Sequence, residues 1–236
     1  ISACLVGSEM CIRDSLTNPP YVTSGSASIK GAIEAAGLAE HYSHGGRGTE
    51  SLAIQWVIDH LKTNGQAFVI VPDGLLNQSA MLDYIKAECH VLCIIALPSR
   101  TFYSTPKKTY ILGLQKKEKA EEQTHPVFTY LVSEIGESRD ARRILISEND
   151  LTGMEQEFRY FRSSPQTYAS ADVRCRIVLW SEFSELRNWL VDRLWAHEEK
   201  VALGIVDEVF ELDADSFRDL VGDARTALER LYGELQ

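Results

Sequence analysis

Phe68-Val69-Ile70-Val71-Pro72-Asp73-Gly74 decides the fold. An unbroken apolar run of strand length, closed by proline and glycine, fits a parallel strand covered on both faces. Upstream, Leu52, Trp56, Val57 and Leu61 repeat at helical spacing behind Thr49 as a cap, and Gly65 is expected to end that helix. Downstream, Met81 to Ala87 reads as a helix, and Val91 to Leu97 as a second buried strand closed by Pro98. Thr109 to Leu114 is a third strand, expected to be antiparallel and to finish the sheet. Helix and strand in alternation argue for an α/β, doubly wound sheet.

Working toward the N-terminus, the next informative stretch is Asn18-Pro19-Pro20-Tyr21. Each proline fixes φ and removes a donor, and a proline also drives the residue before it out of the helical region. The segment is therefore a stiff, extended corner whose carbonyls lack local donors. Such a corner suits chemistry on an aromatic exocyclic amine, a weak nucleophile whose lone pair is delocalised into its ring. The Asn18 side-chain oxygen and the Pro19 carbonyl could both accept from that amine and favour a more tetrahedral nitrogen. Tyr21 offers a flat face for an extruded base, and such stacking is worth roughly 1–3 kcal/mol. The alternative is a Pro-Pro turn that ends a buried strand, with Tyr21 as a packing residue.

Asn18-Pro19-Pro20-Tyr21 resembles the catalytic motif of amino-methyltransferases that use S-adenosylmethionine. The chain beyond it is similar to the N6-adenine DNA methylases, specifically the modification subunits of type I restriction-modification systems. The stretches that carry the likeness are Gly65 to Leu76, Ile94-Ile95-Ala96-Leu97-Pro98, Thr101-Phe102-Tyr103-Ser104-Thr105 and Lys108-Thr109-Tyr110-Ile111-Leu112. The resemblance covers residues 16 to about 118 and implies the second half of a Rossmann-like methyltransferase sheet. A mixed α+β extension over 119–180 and a helical, partner-docking region over 181–236 would follow. It implies methyl transfer from S-adenosylmethionine to a flipped adenine in DNA. Asn18 and Pro19 would hold the amine, Pro20 would stiffen the corner, and Tyr21 and Phe102 would clamp the base. Asn18 would also border the cofactor. Arg100, Lys107, Lys108 and Arg47 are candidate phosphate contacts, and a specificity subunit and a restriction subunit are the implied partners. Methyltransferases acting on protein glutamine or on RNA amines share the motif. A non-catalytic module that binds a specificity subunit is the reading from another class.

Composition bounds these readings. The 236 residues carry a formal charge of −10. That balance argues against a protein that grips DNA unaided, because releasing counterions from phosphates takes clustered Lys and Arg. Five cysteines at irregular spacing are no disulfide framework and point to a reducing cytoplasm. Cys89, His90 and Cys93 lack a second ligand pair at zinc spacing and read as buried groups near a strand; no metal is expected. No apolar run is long enough to span a membrane.

Residues 1–15 resemble a translated sequencing-adapter segment and are expected to be non-native and outside the fold. No strand followed by a Gly-rich turn and a helix precedes Asn18, so the cofactor-binding half is expected to be absent. Ile29 to Ala36 is a short helical patch ended by Gly37, His41 and His44 read as solvated, and Gly45-Gly46-Arg47-Gly48 reads as a loop. Lys116 to Glu122 reads as a solvated boundary. Val127 to Ile135 reads as a strand with one wet face. Asn149-Asp150 would cap a helix through Phe158 and Phe161 that Ser163-Ser164-Pro165 breaks, and Val173 to Trp180 reads as a strand. Phe183, Leu186, Leu190 and Leu194 mark one helix face, and Phe217 to Leu235 an amphipathic helix suited to packing or docking.

Overall fold

The computed structural model describes residues 12–20, 26–42, 44, 48–102, 107–118 and 121–205, together with Arg218, Val221, Gly222 and Arg225. Strands β1 (Ile12–Thr17), β2 (Leu61–Pro72), β3 (Cys89–Ala96), β4 (Thr109–Lys116), β5 (Val127–Leu131) and β8 (Cys175–Val178) form one sheet in the order β1-β2-β4-β3-β5-β8. β1 pairs parallel with β2, and β3 parallel with β5. β4 runs antiparallel between β2 and β3, as expected, and β8 is antiparallel to β5. β1, β2, β3 and β5 therefore all run one way and end at one edge. Strands β6 (Ile135–Glu137) and β7 (Leu145–Asn149) make a separate hairpin beyond β5.

Each strand alternates its side chains between two faces, and at β3 and β5 both faces are covered. Helices α2 (Gly48–His60) and α3 (Ser79–Glu88) bury Ile54, Ile58, Met81 and Ile85 with Val69, Val71, Ile94 and Leu112 on the first face. Helix α4 (Asp150–Ser163) places Phe158 and Phe161 against Cys93, Ile95, Phe128 and Tyr130 on the second. β3 is buried at every position because it has a neighbour on each side and a layer on each face. β5 is buried throughout too, so the wet face read from its alternation does not exist: Val127 and Leu131 enter one core and Phe128 and Tyr130 the other. The one polar residue of that strand, Thr129, satisfies its hydroxyl on the Arg176 carbonyl at 2.8 Å.

The helix ends follow local chemistry. Helix α1 (Ser26–Ala35) closes with Gly37 at φ 70, with Gly37 N donating to Glu34 O at 3.1 Å and Leu38 N to Ile33 O at 3.0 Å. That pair of bonds satisfies carbonyls the last turn leaves open. Asn149 caps α4 by accepting from Leu151 N, and Ser164 ends it, as read from the sequence.

Several expectations are corrected. α2 ends at His60, and Gly65 lies inside β2. A Cβ at Gly65 would stand 2.6 Å from the Arg13 carbonyl, so glycine is required there by the close approach of β1 and not by a helix end. Residues 12–15, expected to lie outside the fold, belong to β1 and pair with β2, with Asp14 opposite Gln66 and Ser15 opposite Ala67. Phe183, Leu186, Leu190 and Leu194 do not share one helix. A four-residue helix α5 (Trp180–Phe183) and a 3-10 turn over Val191–Leu194 flank an irregular stretch in which Trp189 N donates to Leu76 O at 2.9 Å. Burial of Phe183, Trp189 and Trp195 against the sheet outweighs helical periodicity there. The charged run after β4 is also tied down, with Lys116 Nζ 2.6 Å from Glu88 and Glu121 3.2 Å from the buried His90 ring. A short helix α6 (His197–Ala202) follows the 3-10 turn. The amphipathic stretch 217–235 lies outside the described residues apart from Arg218, Val221, Gly222 and Arg225.

Candidate active site

The Asn18-Pro19-Pro20 corner leaves the carboxyl end of β1, the position at which open α/β sheets bind their ligands. Asn18 is exposed, Pro19 is buried and Pro20 is exposed. The buried Pro19 anchors the turn. The Thr49 hydroxyl, in the first turn of α2, donates to the Pro20 carbonyl at 2.6 Å. Thr49 was expected to cap the helix; the helix begins one residue earlier, at Gly48 with φ 84, and the hydroxyl proton goes to the corner. Tyr21 and Arg47 lie outside the described residues.

Polar groups gather behind this corner. Glu50 is 3 % exposed and folds back over Gly48, where an added Cβ would meet its carboxylate at 2.4 Å. Ser51 Oγ donates to Gln78 Oε1 at 3.4 Å, and Gln78 Nε2 to Gly74 O at 3.2 Å. The N-terminus of α2 is thereby joined to the turn that closes β2. Beside the corner, Ser15, Thr17, Thr49, Leu52 and Trp56 line a mostly apolar groove of about 450 Å³.

The second component lies at the same edge, after β3. Pro98 is buried, and the Thr101 hydroxyl donates to its carbonyl at 2.7 Å, which turns the chain outward to a half-buried Phe102. Arg100 sits at φ 62 and is exposed. Tyr103 to Pro106 lie outside the described residues. Two strands, β2 and β4, separate β1 from β3, so the bases of the two loops stand about 14 Å apart at the usual strand spacing.

Lys108 is engaged. Its ammonium lies 3.3 Å from Asp192, which also accepts from the Tyr110 hydroxyl at 2.6 Å. Burial pushes the Asp192 carboxyl up, but the Tyr110 hydroxyl and the Lys108 charge outweigh it and hold the group below the usual carboxylate range. Burial and the same bond raise the Tyr110 phenol well above its ordinary value. Lys108 thereby ties the start of β4 to the 3-10 turn. Lys107 is half-buried. Sequence reasoning missed Asp192, since nothing near it in the chain marks it as a partner of residues more than eighty positions upstream.

Cys89 and Cys93 are buried on β3 as read from the sequence, and burial pushes each thiol up to about 12. They are inert packing groups. The His44 ring stacks on Tyr84 at 4.0 Å, and its backbone N–H donates to Gln55.

Among the described residues no glycine-rich turn links a strand to a helix at this edge.

Several solved structures are similar to this chain in fold. A chain of a type I restriction-modification system aligns over 94% of this chain and 44% of its own, with TM-score 0.58 and 16% identity. The type I methyltransferase subunit from Streptococcus thermophilus aligns over 78% and 38%, with TM-score 0.57 and 17% identity. The M protein of the type I restriction enzyme EcoKI aligns over 94% and 50%, with TM-score 0.50 and 17% identity. The chain thus spans half or less of the length of each of these structures. At such identities the likeness is one of fold. No curated protein sequence matches the chain. The N-6 DNA methylase family matches residues 11–184, the span that holds the Asn18 corner, the whole central sheet and the Phe102 loop. The chain belongs to the N-6 DNA methylase family.

Proposed function

We propose that this chain is the amine-holding part of a DNA adenine-N6 methyltransferase, a modification subunit of a type I restriction-modification system. The observation that carries the reading is the shared edge. The Asn18-Pro19-Pro20 corner after β1 and the Phe102 loop after β3 both face the carboxyl side of one sheet. The Asn18 side-chain oxygen and the Pro19 carbonyl accept the N–H groups of an extruded adenine, concentrating the lone pair on the nitrogen. Thr49 holds the corner in register through Pro20. Phe102 and Tyr21 stack on the ring from its two faces. S-adenosylmethionine supplies the methyl group when bound, and Asn18 borders it. The bases of the two loops are far enough apart for a base to enter between them.

Partners follow from charge. At −10 overall, the chain relies on a specificity subunit for much of its hold on DNA, and a restriction subunit joins the assembly. The test is transfer of labelled methyl from S-adenosylmethionine to duplex DNA by the chain assembled with its specificity subunit. Asn18→Ala is expected to cost about 10²–10³ in rate, the scale of losing one aligned hydrogen-bonding group in a preorganised site. The thermal midpoint should not move, because Asn18 is exposed. An Asn18→Ala protein that methylates at the parent rate overturns the reading.

A further inference from the structure

The β6–β7 hairpin stands beside the Phe102 loop and is built on a fixed base. β5 ends at the reacting edge, and there Asp150 Oδ2 accepts from Ser133 N at 2.7 Å, Ser133 Oγ at 2.8 Å and Glu134 N at 3.0 Å. The turn of the hairpin is closed on itself. Ser138 N donates to Ile144 O at 2.7 Å, Ile144 N to Ser138 Oγ at 2.9 Å, and Arg142 N to Asp140 Oδ1 at 2.9 Å. The Ser138 hydroxyl and the Arg142 amide hold the Asp140 carboxyl below its ordinary range.

The arginines of this turn have different surroundings. Arg139 pairs with Glu134 at 3.3 Å. Arg143, at φ 50, donates from Nη2 to the carbonyl of Thr101, the residue before Phe102, and lies 4.0 Å from Glu137. Arg142 is exposed and forms no ion pair among the described residues, and neither does Arg100, which immediately precedes Thr101 in the neighbouring loop. In a chain of net charge −10, Glu134, Glu137 and Asp140 are taken up by Arg139, by Arg143 and by the turn itself, and Glu148 accepts from the Ser147 hydroxyl, while Arg142 and Arg100 are exposed without an ion pair among the described residues.

We propose that the β6–β7 hairpin is a DNA-contacting strut of the base-holding loop. Arg143 is the positioning residue that fixes the Phe102 loop through Thr101, and Arg142 with Arg100 grips the phosphodiester backbone beside the extruded base. The inference rests on the DNA-methylation reading and extends it to residues that the Asn18 corner and the Phe102 loop do not contain. Exposed Ile144 and Leu145, at 55% and 80%, flank the turn and would be the centre of a protein footprint. The bond from Arg143 to the loop favours nucleic acid, since it ties the hairpin to the element that faces the base.

The experiment uses duplex DNA with 2-aminopurine opposite an abasic site, titrated across a range of salt with the chain assembled with its specificity subunit. Arg100→Ala with Arg142→Ala is expected to lower the slope of log K against log salt by about 1.8, about 0.9 for each phosphate no longer neutralised. The emission at saturation should stay as in the parent. Arg143→Ala should do the reverse, keeping the slope and losing the quenching that marks a stacked base, with partial rescue by Arg143→Lys. Parent slopes and parent quenching in these variants, in a protein that binds DNA and loses methyl transfer with Asn18→Ala, would overturn the inference and leave the methylation reading intact. They would turn the patch over to a protein partner centred on Ile144 and Leu145. A parent protein that neither binds DNA nor transfers methyl groups in its assembly would overturn both.

Discussion

Strands β1 and β3 end at the same edge of the same sheet and are supported in opposite ways. β3 has β4 on one side and β5 on the other, a layer on each face, and every residue buried. β1 pairs with β2 alone among the described strands, its register shifts between Ile12 and Asp14, and Leu16 is 87% exposed. Yet the corner most suited to chemistry hangs on β1. Under the proposed function, the rigid strand carries the loop that would stack on a base, and the thinly held strand carries the groups that would touch the reacting nitrogen. Position at the corner therefore depends on a few identifiable contacts, chiefly the Thr49 hydroxyl on Pro20 and the room left by Gly65 for Arg13.

That contrast can be broken from either side. The largest stability effect is expected at Gly113 on β4, where an added Cβ would stand 2.5 Å from Cys93 Sγ and 2.9 Å from the Phe68 ring. Gly113→Ala should cost about 1–3 kcal/mol in urea unfolding, the usual scale of overpacking, and Cys93→Ala in the same chain should recover part of it. Methyl transfer by the protein that remains folded should change little. A smaller effect on stability and a larger one on rate are expected at the corner. Thr49→Val removes the hydrogen bond to the Pro20 carbonyl, worth about 0.5–1.5 kcal/mol, and should slow methyl transfer more than it shifts the unfolding midpoint. A rate equal to the parent's would show that β1 and Pro19 hold the corner without help from α2.

The smallest effect is expected at the far end of β3. Burial lowers the His90 imidazole below its ordinary value of 6.5, although the Glu121 carboxylate opposes the shift. A histidine whose folded value is depressed contributes stability that is complete above the unfolded value and lost as pH falls through the folded one. The unfolding midpoint should therefore decline as pH drops below about 6.5, and His90→Gln should flatten that part of the profile. A profile unchanged by the substitution would place the dependence on other groups.

The central sheet was legible because its strands are marked by composition. Val91 to Leu97 reads as buried and is so, and in Phe68 to Val71 the two valines are buried while Phe68 and Ile70 are half-buried, since apolar runs of that length have few other stable placements. The α4 start was legible because Asn149 caps by local hydrogen bonding. β1 was only partly legible, as Ile12-Arg13-Asp14-Ser15 carries no strand signal and is held by its pairing to β2. The segment 183–194 misled because apolar residues at helical spacing served instead to plug the sheet through Trp189.

By itself, the sequence determined the α/β alternation, the buried strands and the stiff Asn18-Pro19-Pro20 corner, all of which rest on local properties of neighbouring residues. Tertiary structure alone decided that Thr49 holds Pro20, that Lys108 is occupied by Asp192 and that Arg143 reaches Thr101. Those pairings join residues 29, 84 and 42 positions apart, and only packing on a common sheet brings such groups within hydrogen-bonding distance.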